Sequence, residues 1–572
     1  MSKAIPKPGM KVLGAAIGSC VHVAGLVNFL RLAEELGYKT IFLGPANSVS
    51  KINDNIEKHK PDIVAVSYRL SPQSLVPVLD QLQESILNIG KSPPKIWLFG
   101  GTAPTCEVAK KYTFFERFFD SSALPTDVID YLRGWAEDAG EKAYPTTLLD
   151  RLEFRRPYPI LRAHFGLPSL EETLAGVREI SLARCLDVIS IGPDQNFQES
   201  FFRPEEMTLE TGAGGVPIRS KKDLKMFRSQ TRCGNYPLLR CYSGTRDLIK
   251  MATLLNETIQ NAWGATPLMW YSELDGRSSR PLEEGIRENQ GVMQWHGEHN
   301  IPFECNESHH WSLRDAPDTI AVAMAFLGAY NAKMAGVQTY IAQYMLNTPM
   351  QTSPRMDLAK MLAKIELIES LHSPTFISLR QIRTGLLSFP SNMPAARAQL
   401  ASSIQTGMQL NPDIVHVVSY CEADHAATPS EVVESCQIAS RVIQNSMSGL
   451  PLIIHDPVVQ KRKAELISEA LILLKAIMSI TEEETGDPLT QPKALTKAVT
   501  SGLLDTPHFA ADSIALGSIK TRIIDGACYT VNHETLKPIS ESDRIAQLLG
   551  QDISEIQSRN LSFIPASSRD SL

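Results

Sequence analysis

Over residues 1–134, short apolar runs alternate with segments whose apolar positions recur at helical spacing. Lys11–Ile17, Thr40–Leu43, Ile63–Ser67, Lys95–Phe99 and Phe115–Phe119 have the length and composition of buried strands. Leu26–Leu36, Ser50–His59, Leu75–Leu87 and Pro125–Arg133 carry the period of helices packed by one face. Gly37, directly after the first of these, is a helix stop. Strand–helix alternation with short connections predicts an α/β fold with a doubly wound parallel sheet. Such sheets bind ligands beyond the carboxyl ends of their strands.

Gly134–Thr147 is polar and breaks this rhythm, as a linker does. Beyond it the strand candidates are Asp187–Ile191, Pro237–Cys241, Pro267–Tyr271, Pro302–Asn306, Val337–Ile341, Ile414–Ser419 and Pro451–His455. Long helical patterns separate them, notably Pro281–His299, Ala316–Ala335, Arg355–Leu371 and Glu431–Ser446. This repeat predicts a (β/α)8 TIM barrel, whose chemistry gathers at the strand ends. The expected plan is a Rossmann-like domain over 1–136, a linker over 137–150, a barrel over 151–500 and a C-terminal segment over 501–572.

Composition narrows the classes. A formal net charge of −7 gives no nucleic-acid or anionic-membrane surface. Nine scattered cysteines contain no CxxC pair, which removes zinc ribbons and iron–sulfur motifs. The first residues read as a strand and not as a signal peptide, and no apolar run has membrane-spanning length, so a cytoplasmic location is expected. A homodimer is left open.

The loops after the first, third and fourth strands carry the chemistry. They read Ile17-Gly18-Ser19-Cys20-Val21-His22-Val23-Ala24-Gly25, then Ser67-Tyr68-Arg69-Leu70-Ser71, then Gly100-Gly101-Thr102. A histidine leaving a strand end can aim a ring nitrogen at a metal over the sheet edge. Gly25 would let its helix approach closely, and Gly100 and Gly101 would clear space for a bulky ligand. These loops resemble the Asp-x-His-x-x-Gly, Ser-x-Leu and Gly-Gly elements of cobalamin-binding domains, and IGSCVHVAG is similar to the small subunit of glutamate mutase. The resemblance implies cobalamin held by Ser19, Cys20, His22, Val23, Gly25, Ser67, Leu70, Gly100, Gly101 and Thr102, with His22 ligating cobalt. Cys20 stands where the family has the aspartate that accepts the imidazole proton, so a poorer acceptor is expected beside His22.

Residues from about 155 to 532 resemble the barrel-forming large subunit of glutamate mutase. The likeness rests on Asp187–Phe201, Pro281–Gln290 and Leu503–Asp512, the last leading into a stretch that lines the cofactor. It implies a radical carbon-skeleton isomerase acting on a small carboxylic or amino acid, with adenosylcobalamin favoured over methylcobalamin. Arg240, Tyr271, Glu273 and Arg277 are the expected substrate residues, with Arg246 as a further cation; an arginine fork suits a carboxylate. The acidic residue that would read a substrate amine is not evident in the matching Asn261-Ala-Trp-Gly264. Two alternatives stay open. One is a corrinoid methyltransferase with metal ligands among Cys305, Glu307 and His309, which would alternate on one strand face. The other is a cobalamin carrier.

Overall fold

The computed structural model describes residues 5–87, 93–123, 125–134, 144–207, 210–480, 486–509, 513–550, 554 and 556. The chain divides into two units, Met1–Ala143 and Tyr144–Leu572. Among the described residues no helix is long and apolar enough to cross a membrane.

The first unit holds five parallel strands: β1 (Lys11–Ala16), β2 (Lys39–Phe42), β3 (Ile63–Tyr68), β4 (Ile96–Gly101) and β5 (Arg117–Phe119). Their order is β2-β1-β3-β4-β5. Every residue of β3 is buried, as expected for a central strand covered by helices on both faces. Ser48 and Ser71 cap the helices Val49–His59 and Pro72–Ile86 by accepting from backbone N–H groups in their first turns. The chain leaves β1 toward β2 and returns to β3 on the other side, so the ends of β1 and β3 flank the switch point of the sheet.

The second unit holds eight parallel strands: β6 (Ile160–Phe165), β7 (Val188–Ile191), β8 (Leu238–Cys241), β9 (Gly264–Thr266), β10 (Phe303–Cys305), β11 (Thr339–Leu346), β12 (Ile377–Thr384) and β13 (Ile414–Val417). The order β8-β7-β6-β13-β12-β11-β10-β9 makes a nearly closed barrel. Across the remaining gap, Ala262 N–H donates to Leu239 O at 2.9 Å and Cys241 N–H to Asn261 Oδ1 at 2.8 Å. The four long helices form at Leu282–Glu298, Asp318–Met334, Pro354–Glu369 and Pro429–Met447. An antiparallel hairpin, Thr521–Ile524 with Ala527–Thr530, follows the barrel.

Three expectations need correction. Pro451–His455 is not a strand: it ends in a 3-10 turn leading into the helix Pro457–Ser479, and Leu452 is 55% exposed, so the run has no sheet to join. The strand expected at Pro267–Tyr271 lies earlier, at Gly264–Thr266, and Pro267–Tyr271 is the loop beyond it. Two strands, β6 and β12, were not expected because polar residues interrupt their apolar runs. Within the segment expected as linker, Thr147 caps a helix at Leu148–Arg155; residues 135–143 lie outside the described residues.

The barrel interior is layered. Ile160, Val188, Leu238, Ile341 and Ile414 form an apolar floor with Ala262, Trp263 and Leu148, and Leu379 packs against it. Two residues further along each strand, on the same face, the side chains turn polar: Arg162, Ser190, Arg240, Gln343, Gln381 and His416. One step beyond lie His164 on β6 and Arg383 on β12.

Candidate functional site

At the switch point of the first unit, the turn after β1 is fixed by Ile17 N–H donating to Ser67 O at 3.0 Å and Gly18 N–H to Asn47 O at 2.8 Å. Ser19 and His22 are exposed, and the His22 ring makes no hydrogen bond among the described residues. Val23 stands at the start of the helix Ala24–Glu35, which has no side-chain cap. On the neighbouring strand Ser67 pairs in register with Gly100, and Tyr68 with Gly101. Ser67 is 6% exposed, yet its hydroxyl has no hydrogen-bond partner among the described residues. Such an orphan is uncommon and marks a place where a missing group would bond. A Cβ on Gly100 would make only ordinary contacts, with Phe119 O at 3.7 Å and Ser67 Cβ at 3.9 Å.

Three expected roles change. Cys20 does not sit against the His22 ring: it is fully buried in the core, and its sulfur accepts from Arg69 N–H at 3.3 Å. A thiol tolerates an apolar core where a carboxylate would not, so the residue ties the β1 and β3 loops together. Gly25 is not needed for close helix packing, because a Cβ there would meet nothing within 4 Å. Gly101, by contrast, admits no side chain: a Cβ would lie 2.8 Å from Tyr68 O and 2.3 Å from Thr105 Oγ1. Thr102 caps the following helix in a reciprocal box with Thr105, and Leu70 packs on the core.

In the barrel, Arg162 donates to Ser190 Oγ at 2.8 Å and Gln381 Oε1 at 3.0 Å, and lies 3.1 Å from His164 and 3.2 Å from His416. Glu304, on β10, accepts from Trp263 Nε1 and Gln343 Nε2, both at 2.8 Å, and from Arg240 at 3.4 Å; Arg162 lies 3.7 Å away. Burial pushes the Glu304 carboxyl up, but Arg240 and Arg162 outweigh it, so the group lies below its ordinary range and is ionised. Burial drives His164 and His416 well below the usual histidine range, and Arg162 adds to it, so both rings are neutral.

Arg240 leaves its buried Nε unpartnered. Arg383 spends only Nε, on Thr384 O at 3.4 Å, and its terminal nitrogens make no hydrogen bond among the described residues. Glu422, held by Ser419 N–H at 2.7 Å, is the second carboxylate that Arg383 feels. Three guanidiniums, Arg162, Arg240 and Arg383, thus share the interior with two carboxylates, Glu304 and Glu422, and burial pushes Glu422 up while it pushes Arg162 and Arg383 down. Around the strand ends, further buried polar atoms lack partners among the described residues: Ser243 Oγ, Thr266 Oγ1, Trp270 Nε1, His309 Nδ1 and His310 Nε2.

Of the residues expected to meet substrate, Arg240 lies in this interior. Tyr271 stands on the loop after β9, edge-on to the rings of Tyr242 and His310. Glu273 accepts from Leu282 N–H at 2.8 Å, which caps the helix Leu282–Glu298. Arg277 is half exposed, lies over the Tyr271 ring and reaches Asp275 at 3.8 Å. Arg246 pairs with Glu206 at 2.8 Å. Cys305, Glu307 and His309 do not share a strand face, because the chain turns into the helix Glu307–Ser312 directly after β10. Both Glu307 oxygens are engaged, by Leu268 N–H, Met269 N–H and Trp311 Nε1. Of Leu503–Asp512, residues 510–512 lie outside the described residues.

The sequence reading missed Arg162, His164, Glu304, Gln381, Arg383 and His416. For β6 the signal was present: Arg162-x-His164 places polar groups on every second residue of an otherwise apolar run, which marks a strand with a polar inner face; β12, with Ser378, Arg380 and Thr384 polar as well, carries no such pattern.

No family model and no curated protein matches the chain. Among solved structures it is similar to a cobalamin-binding protein from Desulfitobacterium hafniense, with 21% identity over 19% of this chain and 52% of that one, at a TM-score of 0.18. It is similar to the methanol:cobalamin methyltransferase complex from Methanosarcina barkeri, with 17% identity over 23% of this chain and 47% of that one, at 0.19. A rubisco-like protein from Alicyclobacillus acidocaldarius shares 13% identity over 55% of this chain and 70% of its own, at 0.32. The chain spans about half the length of the first two. Likenesses this distant leave the reading of function to the residues themselves.

Proposed function

We propose that the first unit binds cobalamin, with His22 beneath the cobalt, and that the barrel isomerises a small carboxylic acid by radical rearrangement. The observation that carries the first half is the unpartnered buried hydroxyl of Ser67, set in register beside Gly100 where the sheet switches direction and a free histidine leaves β1. His22 would supply the lower ligand, Ser67 a hydrogen bond to the buried part of the cofactor, and Gly100 the room beside it. Bound adenosylcobalamin supplies a carbon radical able to abstract a substrate hydrogen.

The excess of guanidiniums (Arg162, Arg240 and Arg383) over carboxylates (Glu304 and Glu422) supports an anionic substrate. A carboxylate on the terminal nitrogens of Arg383, with Arg240 beside it, would balance the interior and complete the unmade hydrogen bonds. The neutral His309 and His310 offer ring nitrogens without adding charge, since burial holds both well below the usual range. The residues argue against the methyltransferase reading through Cys305, Glu307 and His309, because Glu307 is already engaged and the three do not converge.

The test is a titration of the full chain with adenosylcobalamin, followed by visible absorption, and then incubation with a panel of small carboxylic acids. His22→Ala should keep the fold and change the bound spectrum or weaken affinity; an unchanged spectrum and affinity overturn the cobalamin assignment. Arg383→Met should remove isomer formation while leaving cobalamin binding intact, since one buried charged contact is worth about 2–5 kcal/mol. Turnover of methylcobalamin with a thiol or amine acceptor, and no isomerisation, would overturn the reaction.

A further inference from the structure

The loop between β13 and the helix Pro429–Met447 brings together three side chains that the barrel interior does not use. Cys421, His425 and Glu431 each offer one ligand atom, and these atoms all lie within 4.8 Å of one another. They come from a single run, Cys421-x3-His425-x5-Glu431. A tetrahedral zinc ion with bonds of about 2.0–2.3 Å places its ligands about 3.3–3.8 Å apart, so only a small closure separates the present arrangement from a ligand set.

Two of the three groups, His425 and Glu431, are already held in place by hydrogen bonds. His425 Nδ1 lies 2.9 Å from Asp424 Oδ2, the carboxylate–histidine pairing that sets the ring of a metal ligand and raises its basicity. Nε2 is hydrogen-bonded to Glu431 Oε1 at 3.0 Å, a bond that a metal would have to replace. Glu431 divides its oxygens: Oε2 accepts from Thr428 N–H at 2.9 Å and Thr428 Oγ1 at 2.7 Å, capping the helix, and Oε1 stays on the histidine side. Cys421 is fully buried beneath them, while His425 is 43% exposed, so one side of the group opens to water. Sulfur, imidazole and one carboxylate oxygen form the mixed donor set of a borderline-soft ion. Burial and the nearby Glu431 push the Cys421 thiol up to about 12, so a metal would have to displace its proton.

We propose that Cys421, His425 and Glu431 form a zinc site with a fourth position open to water or a small ligand, clipping the loop after β13 to its helix. The site stands apart from the cobalamin reading and holds whichever reaction the barrel performs. The test uses the full chain, stripped with chelator, free of cobalamin, and titrated with Zn²⁺ and separately with Co²⁺. Expected are one equivalent of either ion per chain and a near-ultraviolet thiolate-to-cobalt band. Cys421→Ser should abolish the band, and His425→Ala, an exposed position that leaves the fold intact, should remove stoichiometric binding. Asp424→Ala should weaken binding about 10–100-fold, and Cys305→Ser should change nothing. Absence of bound metal in the wild-type chain, or one full equivalent retained by both Cys421→Ser and His425→Ala, overturns the site.

Discussion

Ser67 has a hydroxyl that gains nothing from the fold around it: it is buried and unbonded, so folding strips its water without replacement. Ser67→Ala should therefore leave the cofactor-free chain as stable as before, or slightly more stable, within about 0.5 kcal/mol by urea unfolding. The same change should weaken cobalamin binding; a loss of stability with unchanged binding would make Ser67 an ordinary core residue. Two glycines of one motif part ways by the same reasoning. Gly101→Ala drives a methyl against Tyr68 O and should cost about 1–3 kcal/mol. Gly25→Ala meets open space in a first helical turn and should be neutral or stabilising by up to about 1 kcal/mol in the same measurement.

The strands of the barrel show how much an element can hide. In β6 and β12 the residues facing inward past the floor are arginine, histidine and glutamine, so the apolar run that announces a buried strand is broken where the chemistry lies. Pro451–His455 has such a run and no partner strand, and it stays a turn. Glu304 binds β10 to its neighbours through Arg240, Trp263 and Gln343. Glu304→Gln removes the charge that balances the interior and should destabilise the barrel by about 3–5 kcal/mol; a stable variant would mean that the arginines are balanced elsewhere. The neutral histidines give a pH signature. Burial lowers His164, His296, His309, His310 and His416 below the value of 6.5 that they regain on unfolding. Below that pH the unfolded chain binds protons that the folded chain refuses, so stability present above pH 6.5 is lost as pH falls. Between pH 7.5 and 5.5 each can contribute up to about 1.4 kcal/mol. Urea unfolding at the two pH values, with tryptophan fluorescence reporting on the buried Trp263, Trp270 and Trp311, checks this.

At the scale of the whole molecule, two units each enclose a core: the helices of the first cover its five-stranded sheet, and the barrel of the second closes on its own floor. A unit with its own core can in principle fold alone. Residues 1–134 expressed by themselves should unfold cooperatively and keep His22-dependent cobalamin binding. A fragment that is unfolded by circular dichroism would show that the first unit depends on the rest of the chain.

The sequence by itself determined the alternation of elements in the first unit, the doubly wound class and the loops that carry His22, Ser67 and Gly100. Each of these follows from local period and strand-end position, which neighbours in sequence encode. It also determined that a barrel follows, because most of its strands are apolar runs between long helices. Only the tertiary structure decided that Cys20 turns into the core and bonds Arg69, since that choice depends on a loop 49 residues away. Only it assembled Arg162, Arg240, Glu304, Gln381, Arg383 and His416 around one space. Those residues come from five strands separated by up to 254 residues, and closure of a barrel is what makes such distant side chains neighbours. The excess of guanidiniums among them is a property of that enclosure, written in no single stretch of the chain.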